Sequence, residues 1–517
     1  MKFHKIIIVG GGSAGWMTAA TFIKCFPKKN IILIESPNYP IIGVGESTIS
    51  GIRSWTDLLE LNDKEFMKST DATYKLSIRF ENFYKKGDQG FHYPFGHAFV
   101  KNNKFGNNDW YFKKIFFPDL PVTDYAESYY PQMALVKQNK ICDNKNGKLE
   151  NFRFYFDTAF HFDATKFGLW LKEYYCLPRG VKYISEHIKT VECDENGVVS
   201  LNKKHKADLF IDCTGFKSLL LSETLKEPFE SFTHILPNNK AWAVRIPYEN
   251  KEKELNTYTD CFALNNGWVW TIPLWNRLGT GYVYSDKYIS DENALKEFKN
   301  HLNRKNIDKF EFNHIKMRVG LHKRLFVKNV CAIGLAAGFI EPLESNGLYT
   351  VHTFLMHLMK VLNRGNLKDI SQFDKDTFNT TCLYTFKKFA EFVALHYALT
   401  HRDDTPYWKE AKNKTYDYLN NFYYSIFERI MNNKMIDKFY DLREGYSAIA
   451  SGMNYFPLTK EDLYADGHFS VYGKENLKEY ILKNVTHLDL QKEKWNHSIK
   501  NEKSIYDYLK ENIYNED

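Results

Sequence analysis

The segment from Ile6 to Glu35 constrains the fold of this chain more than any other. Ile6-Ile7-Ile8-Val9 is the unbroken apolar run that a strand buried on both faces needs. Gly10-Gly11-Gly12-Ser13-Ala14-Gly15 reads as a turn, Trp16 to Cys25 as a helix, and Ile31-Ile32-Leu33-Ile34-Glu35 as a second buried strand. The result is a βαβ unit, which implies a parallel sheet covered by helices. Its glycines permit a tight turn and the approach of a pyrophosphate to the N–H groups at the helix start, so Gly10, Gly12, Ser13, Ala14 and Gly15 are candidate cofactor-binding residues. Glu35 stands 20 positions after Gly15, where a carboxylate accepts both hydroxyls of an adenosine ribose. A glycine-rich turn alone is common; a turn with both strands, the helix and the terminal acid points to a bound dinucleotide.

Two later stretches read as strands of the same sheet, 207–215 and 330–338. Each is apolar and ends in small residues, among them Gly334 and Ala336, as a strand must where a cofactor passes close to it. The segment from Lys240 to Ser285 alternates aromatic and β-branched residues with polar ones, which predicts a largely antiparallel inserted sheet. Val351, Phe354, Leu355, Leu358, Val361 and Leu362 recur at helical spacing, and beyond about residue 370 the chain reads as mostly helical. The expected organisation is a cofactor-binding core over 1–370 and a helical, substrate-binding region over 371–517.

Composition removes several classes of function. The net charge of +7 comes from 70 Lys and Arg against 63 Asp and Glu, with the lysines dispersed, so nucleic-acid binding is not indicated. Eight cysteines lie far apart with no Cys-x-x-Cys and no metal-ligand spacing, which suits a reducing cytoplasm and no metal. The apolar start runs into glycines without a cleavage site and is a strand, and no apolar run approaches the roughly 18 residues of a membrane-spanning helix.

Gly267-Trp268-Val269-Trp270-Thr271-Ile272-Pro273 is a costly way to build an ordinary strand, since alternation puts Trp268, Trp270 and Ile272 on one face. The plain alternative is a core strand with aromatic filling. Together with the glycine fingerprint, with Gly43-Val44-Gly45-Glu46-Ser47-Thr48, Asp212-Cys213-Thr214-Gly215-Phe216, Glu341-Pro342-Leu343-Glu344-Ser345 and Asp404-Thr405-Pro406-Tyr407-Trp408, it resembles the flavin-dependent halogenases of the tryptophan-halogenase type as far as about residue 410. The resemblance implies a glutathione-reductase-like FAD-binding Rossmann core, α/β in class with α+β insertions, in which Gly45, Glu46 and Ser47 also meet the cofactor. It implies FAD bound as FADH2 from a separate flavin reductase, and reaction with O2 to a hydroperoxide. A halide ion attacks that hydroperoxide, and the hypohalous acid formed travels through a tunnel to a small aromatic substrate.

On the same resemblance Lys75 is the essential lysine, polarising hypohalous acid as an ammonium or forming a haloamine as an amine. Its plain alternative is a solvated strand face shared with Ser77 and Arg79. Glu344 is the second catalytic residue, accepting the ring proton, unless it only complements the positive end of the following helix. Ser345, Asn346 and Gly347 open that helix and are the expected halide donors, with Asn346 standing where the family has threonine. Tyr93 and Phe95 are placed to sandwich an aromatic ring, with Trp268 and Trp270 walling flavin from substrate. Residues to grip an amino-acid zwitterion reduce to Tyr423, Tyr424 and Tyr446 in imperfect register, so an indole or phenol is expected rather than free tryptophan. A homo-oligomer is expected, with no membrane or nucleic-acid partner. The rival readings are a single-component aromatic hydroxylase using NAD(P)H directly, and a flavin-binding redox sensor without turnover.

Overall fold

The computed structural model describes residues 3–38, 46–99, 109–364, 369–422, 440–455 and 474–515. The chain divides into two compact units, one of residues 1–73, 159–248 and 270–393 and one of residues 74–158, 249–269 and 394–517.

The first unit is built on a six-stranded sheet in the order Phe326–Val327, Val330–Ala332, Leu209–Asp212, Lys5–Val9, Asn30–Glu35, Lys182–Ser185. All neighbours run parallel except the first pair. Burial on both faces explains the apolar runs: Ile6, Ile7, Ile8, Leu33, Leu209, Phe210 and Ile211 are all inaccessible to solvent. The helix Ser13–Cys25 returns the chain from the first strand to its parallel neighbour. Both later strands expected from the sequence therefore join this sheet. In the same unit Lys240–Ile246 and Leu278–Tyr284 pair antiparallel along their whole length, from Lys240↔Tyr284 to Ile246↔Leu278. The helix Asn346–Arg364 buries the apolar positions that its spacing predicts.

The second unit contains Ser77–Glu81, antiparallel to Phe91–Pro94 and parallel to Tyr258–Ala263. The expectation of a largely antiparallel sheet across 240–285 holds for Lys240–Ile246 and Leu278–Tyr284, and Tyr258–Ala263 in addition pairs in parallel with a strand about 180 positions earlier. Helices Asp109–Phe116, Asp124–Tyr129, Pro406–Phe422, Tyr440–Gly452 and Lys474–Ser498 belong to the same unit. Asp124 gathers several of them, accepting from Trp110 Nε1 at 2.9 Å and Lys492 Nζ at 2.5 Å, while Lys113 pairs with Asp489. Among the described residues no helix is long and apolar enough to cross a membrane.

Candidate functional site

The glycine loop of the first unit is shaped by what a side chain would strike. Gly10 has φ +114°, and a β-carbon there would lie 2.2 Å from the carbonyl oxygen of Cys213. At Gly15 it would lie 1.8 Å from the carbonyl oxygen of Gly10, so the helix can begin this close to the turn only without a side chain. A β-carbon on Gly11 would meet the Glu35 carboxyl carbon at 2.1 Å, which places that carboxylate directly over the loop. Gly12 faces open space and caps the helix Ser13–Cys25 with no side-chain acceptor and no acidic residue in the first turn. The leading N–H groups there, at Ser13 and Ala14 above all, are left for an anion. An uncapped helix start, a loop stripped of β-carbons and a carboxylate above it fit FAD, the pyrophosphate at the helix start and the ribose hydroxyls at Glu35.

The neighbouring motifs hold that cradle in shape. Asp212 is buried, and its carboxylate accepts from Thr214 N and Oγ1 at 3.0 and 2.6 Å and from Leu220 N and Leu221 N at 2.7 and 3.0 Å. The Asp-Cys-Thr-Gly-Phe motif is thereby a loop lock, a role its sequence alone did not disclose. Gly334 to Ala336 form a short 3-10 turn, in which a β-carbon on Gly334 would lie 2.8 Å from that of Ala14 and the Ala336 carbonyl accepts from Ser218 at 2.9 Å. Glu46 and Ser47 form a short strand opposite Phe162 and His161. Gly45 lies outside the described residues, as do Tyr423 and Tyr424.

At the Glu-Pro-Leu-Glu-Ser turn Glu344 is wholly buried. Ser345 adopts φ +58°, its N–H donates to Pro342 O at 3.0 Å and its hydroxyl donates to Ser47 Oγ at 3.1 Å. Both Ser345 donors are therefore engaged inside the protein. Asn346 turns its side-chain amide to the Glu341 carbonyl at 2.7 Å, and its own N–H and that of Gly347 stand at the head of a 19-residue helix, where an anion is favoured. Trp270 lies across Gly281, where a β-carbon would come within 2.2 Å of the indole.

In the second unit Lys75 is fully buried, with Nζ 4.9 Å from the ring centre of Phe95. The strand breaks at Leu76, whose N–H donates to Thr257 O at 2.7 Å and whose carbonyl accepts from Phe95 N at 3.0 Å. Those two bonds set the lysine over the ring, and Gln132 donates to the Phe95 carbonyl from behind. Tyr93 meets Phe95 edge to face at 6.2 Å. Lys75 and Ser77 are buried, and only Arg79 of the three reaches solvent, paired with Asp260 through two bonds of 2.8 and 3.0 Å. Burial, with Arg79 and Lys137 nearby, pushes His92 down to about 3, so the ring beside Ser77 Oγ is neutral. Trp268 is inaccessible. The turn before it is gripped by the Asp-Thr-Pro-Tyr-Trp motif, where Thr405 Oγ1 donates to Asn265 O at 2.8 Å and Trp408 Nε1 to Leu264 O at 2.7 Å. Tyr446 is buried on Tyr440–Gly452, a helix that ends with Gly452 against the Phe91 ring. The Lys75–Phe95 contact is the feature that sequence reasoning missed; a lysine within the run Tyr74-Lys75-Leu76-Ser77 gives no sign of an aromatic 20 positions later beneath it.

Residues 5–466 match the family described as tryptophan halogenase. Among its relatives is the tryptophan 6-halogenase SttH of Streptomyces toxytricini, 34% identical over 435 residues, or 79% of this chain and 81% of that protein. The apo structure of VirX1 superposes with a TM-score of 0.89 at 37% identity, covering 99% of this chain and 100% of that one. BrvH, a flavin-dependent halogenase from a Brevundimonas species, gives a TM-score of 0.83 at 28% identity over 98% and 99% of the two chains.

Proposed function

From the chain's membership of the tryptophan halogenase family, which makes it a flavin-dependent halogenating enzyme of aromatic substrates, we propose a two-component, FADH2-dependent halogenase of small free aromatics. In this reading a separate reductase supplies the reduced flavin, and hypohalous acid passes through a tunnel to Lys75 and Glu344. The flavin, when bound, supplies with O2 the two-electron oxidation of halide to hypohalous acid. Gly10 to Gly15, Glu35 and Ser47 hold the cofactor, and the N–H groups of Asn346 and Gly347 hold the halide. Lys75 takes the electrophile, either donating to its oxygen as an ammonium or accepting the halogen as an amine. Glu344 accepts the proton that the ring loses, for which a carboxylate suffices because that proton is very acidic. Trp268 and Trp270 keep the aromatic away from the flavin. Eight free cysteines suit a cytoplasmic setting.

The observation that carries this reading is the wholly buried lysine set over Phe95. A lysine kept from water beside an aromatic ring is placed to act on a small electrophile, by donating as an ammonium or accepting the halogen as an amine.

The test is reconstitution with FAD, a flavin reductase, NADH and each halide against an aromatic panel, read by mass spectrometry. Halogenated product should need the reductase. Small electron-rich indoles and phenols should outcompete free tryptophan, and bromide or iodide should outperform chloride, being easier to oxidise. Free tryptophan with chloride as the best pair by a wide margin would overturn the substrate assignment.

A further inference from the structure

Within the first unit, three separate stretches of chain meet in one buried set of hydrogen bonds. Thr73 donates its hydroxyl to the carbonyl of Pro273, the last residue of the Trp-x-Trp-x-Ile-Pro strand, at 2.7 Å. The same hydroxyl oxygen lies 3.0 Å from His161 Nδ1. Thr73 and His161 are both inaccessible to solvent. A carbonyl can only accept, so the single hydroxyl proton goes to Pro273, and the bond to His161 must use a proton on Nδ1. The geometry therefore fixes the imidazole as the Nδ1–H form. His161 also stands opposite Ser47 in the short antiparallel pair, and Ser47 accepts from Ser345. Residues opposite each other in such a pair project to the same face.

We infer that Thr73 and His161 are positioning residues for Lys75, an inference that rests on the role given to Lys75 above. Thr73 and Lys75 flank Tyr74 on the strand Thr73–Lys75, so their side chains leave the same face. A threonine hydroxyl pinned between an imidazole and a proline carbonyl fixes the rotation and register of that strand, and a slip of one residue would turn Lys75 to the opposite face. His161 takes up the lone pair that would otherwise let the hydroxyl rotate. Neither residue touches the reacting atoms; together they tie the strand of the lysine to the end of the tryptophan motif.

The test compares shape with hydrogen bonding in the full-length enzyme with FAD and reductase. Thr73→Val keeps the volume and removes the bond; Thr73→Ser restores it. His161→Asn keeps a donor near Nδ1, whereas His161→Gln moves it to the Nε2 position. Each variant is measured for FAD affinity by fluorescence titration, and for the partition of electrophile between brominated product and free hypobromous acid trapped by monochlorodimedone. Thr73→Val and His161→Gln should keep FAD affinity within about twofold and raise the released fraction at least fivefold. Thr73→Ser and His161→Asn should restore the partition, and ¹⁵N NMR of labelled histidine should show Nδ1–H at His161. Thr73→Ser as leaky as Thr73→Val, His161→Gln tighter than His161→Asn, or a wild-type partition in Thr73→Val would overturn the inference. Lys75→Ala, run beside them, separates the two ideas. Lost product in Lys75→Ala with unaffected Thr73→Val defeats the inference alone, whereas full product in Lys75→Ala defeats the lysine's role and the inference with it.

Discussion

In the glycine loop of the first unit the atoms proposed to act belong to the backbone, whereas at Lys75 in the second unit they belong to one side chain. The loop works by omission: β-carbons at Gly10 and Gly15 would strike carbonyl oxygens at 2.2 and 1.8 Å, and no side chain caps the helix that follows. The strand works by insertion, since Lys75 is driven into a fully buried position over Phe95 by bonds on both sides of Leu76. A backbone site tolerates no added atoms and is therefore written in glycine. A side-chain site needs one residue of the right chemistry and a surrounding that can be assembled from many sequences.

The comparison breaks most visibly if the loop accepts a methyl group. Gly15→Ala should gain about 1 kcal/mol of helix propensity, yet the clash with the Gly10 carbonyl should outweigh it by about 3 kcal/mol or more. We expect FAD affinity to fall at least 100-fold, or soluble protein to be lost, as read by fluorescence titration and thermal unfolding. Unchanged affinity would mean that the loop does not define the cofactor site.

Next in size is Glu344→Gln, which keeps the shape of a buried residue and removes its basicity. Because general-base contributions run to about 100-fold or more, kcat for halogenation should drop by that order while FAD affinity stays within twofold. A fall in thermal stability with kcat preserved would instead assign Glu344 to the start of the helix Asn346–Arg364.

The smallest expected effect separates fold from chemistry in the first unit. Glu186, next to the end of the strand Lys182–Ser185, is held down to about 2 by bonds from Lys204, His205 and Asn202. A depressed folded-state value means that its contribution is full above the ordinary glutamate value of about 4.3, and is lost as the pH falls towards about 2. Glu186→Gln should lower the urea midpoint slightly at pH 7, and the gap should close between about pH 4.3 and pH 2. A gap that persists at pH 2 would remove the carboxylate as its cause.

What was legible in the sequence follows the same division. The βαβ unit, the strand partners Leu209–Asp212 and Val330–Ala332 and the helix Asn346–Arg364 could be read because buried parallel strands leave apolar runs and close approaches leave glycine. The parallel pairing of Tyr258–Ala263 with Ser77–Glu81 could not, because nothing local marks a partner about 180 residues away. Lys75 was legible only through family resemblance; its residues alone favoured a solvated face, and the break at Leu76 and the ring of Phe95 that bury it are tertiary. At Ser345 the motif gave the residue but not the left-handed backbone that turns its N–H onto Pro342.

In the proposed function one part of the chain makes the electrophile and Lys75 puts it to use. Lys75→Ala tests it most directly, in a reaction with FADH2, bromide and an indole, with O2 uptake, trapped hypobromous acid and brominated indole measured together. O2 uptake and FAD affinity should stay near wild type, hypobromous acid should appear in the trap, and brominated indole should fall at least 100-fold under trapping conditions. Brominated indole formed at the wild-type rate with the trap present would contradict that role for Lys75.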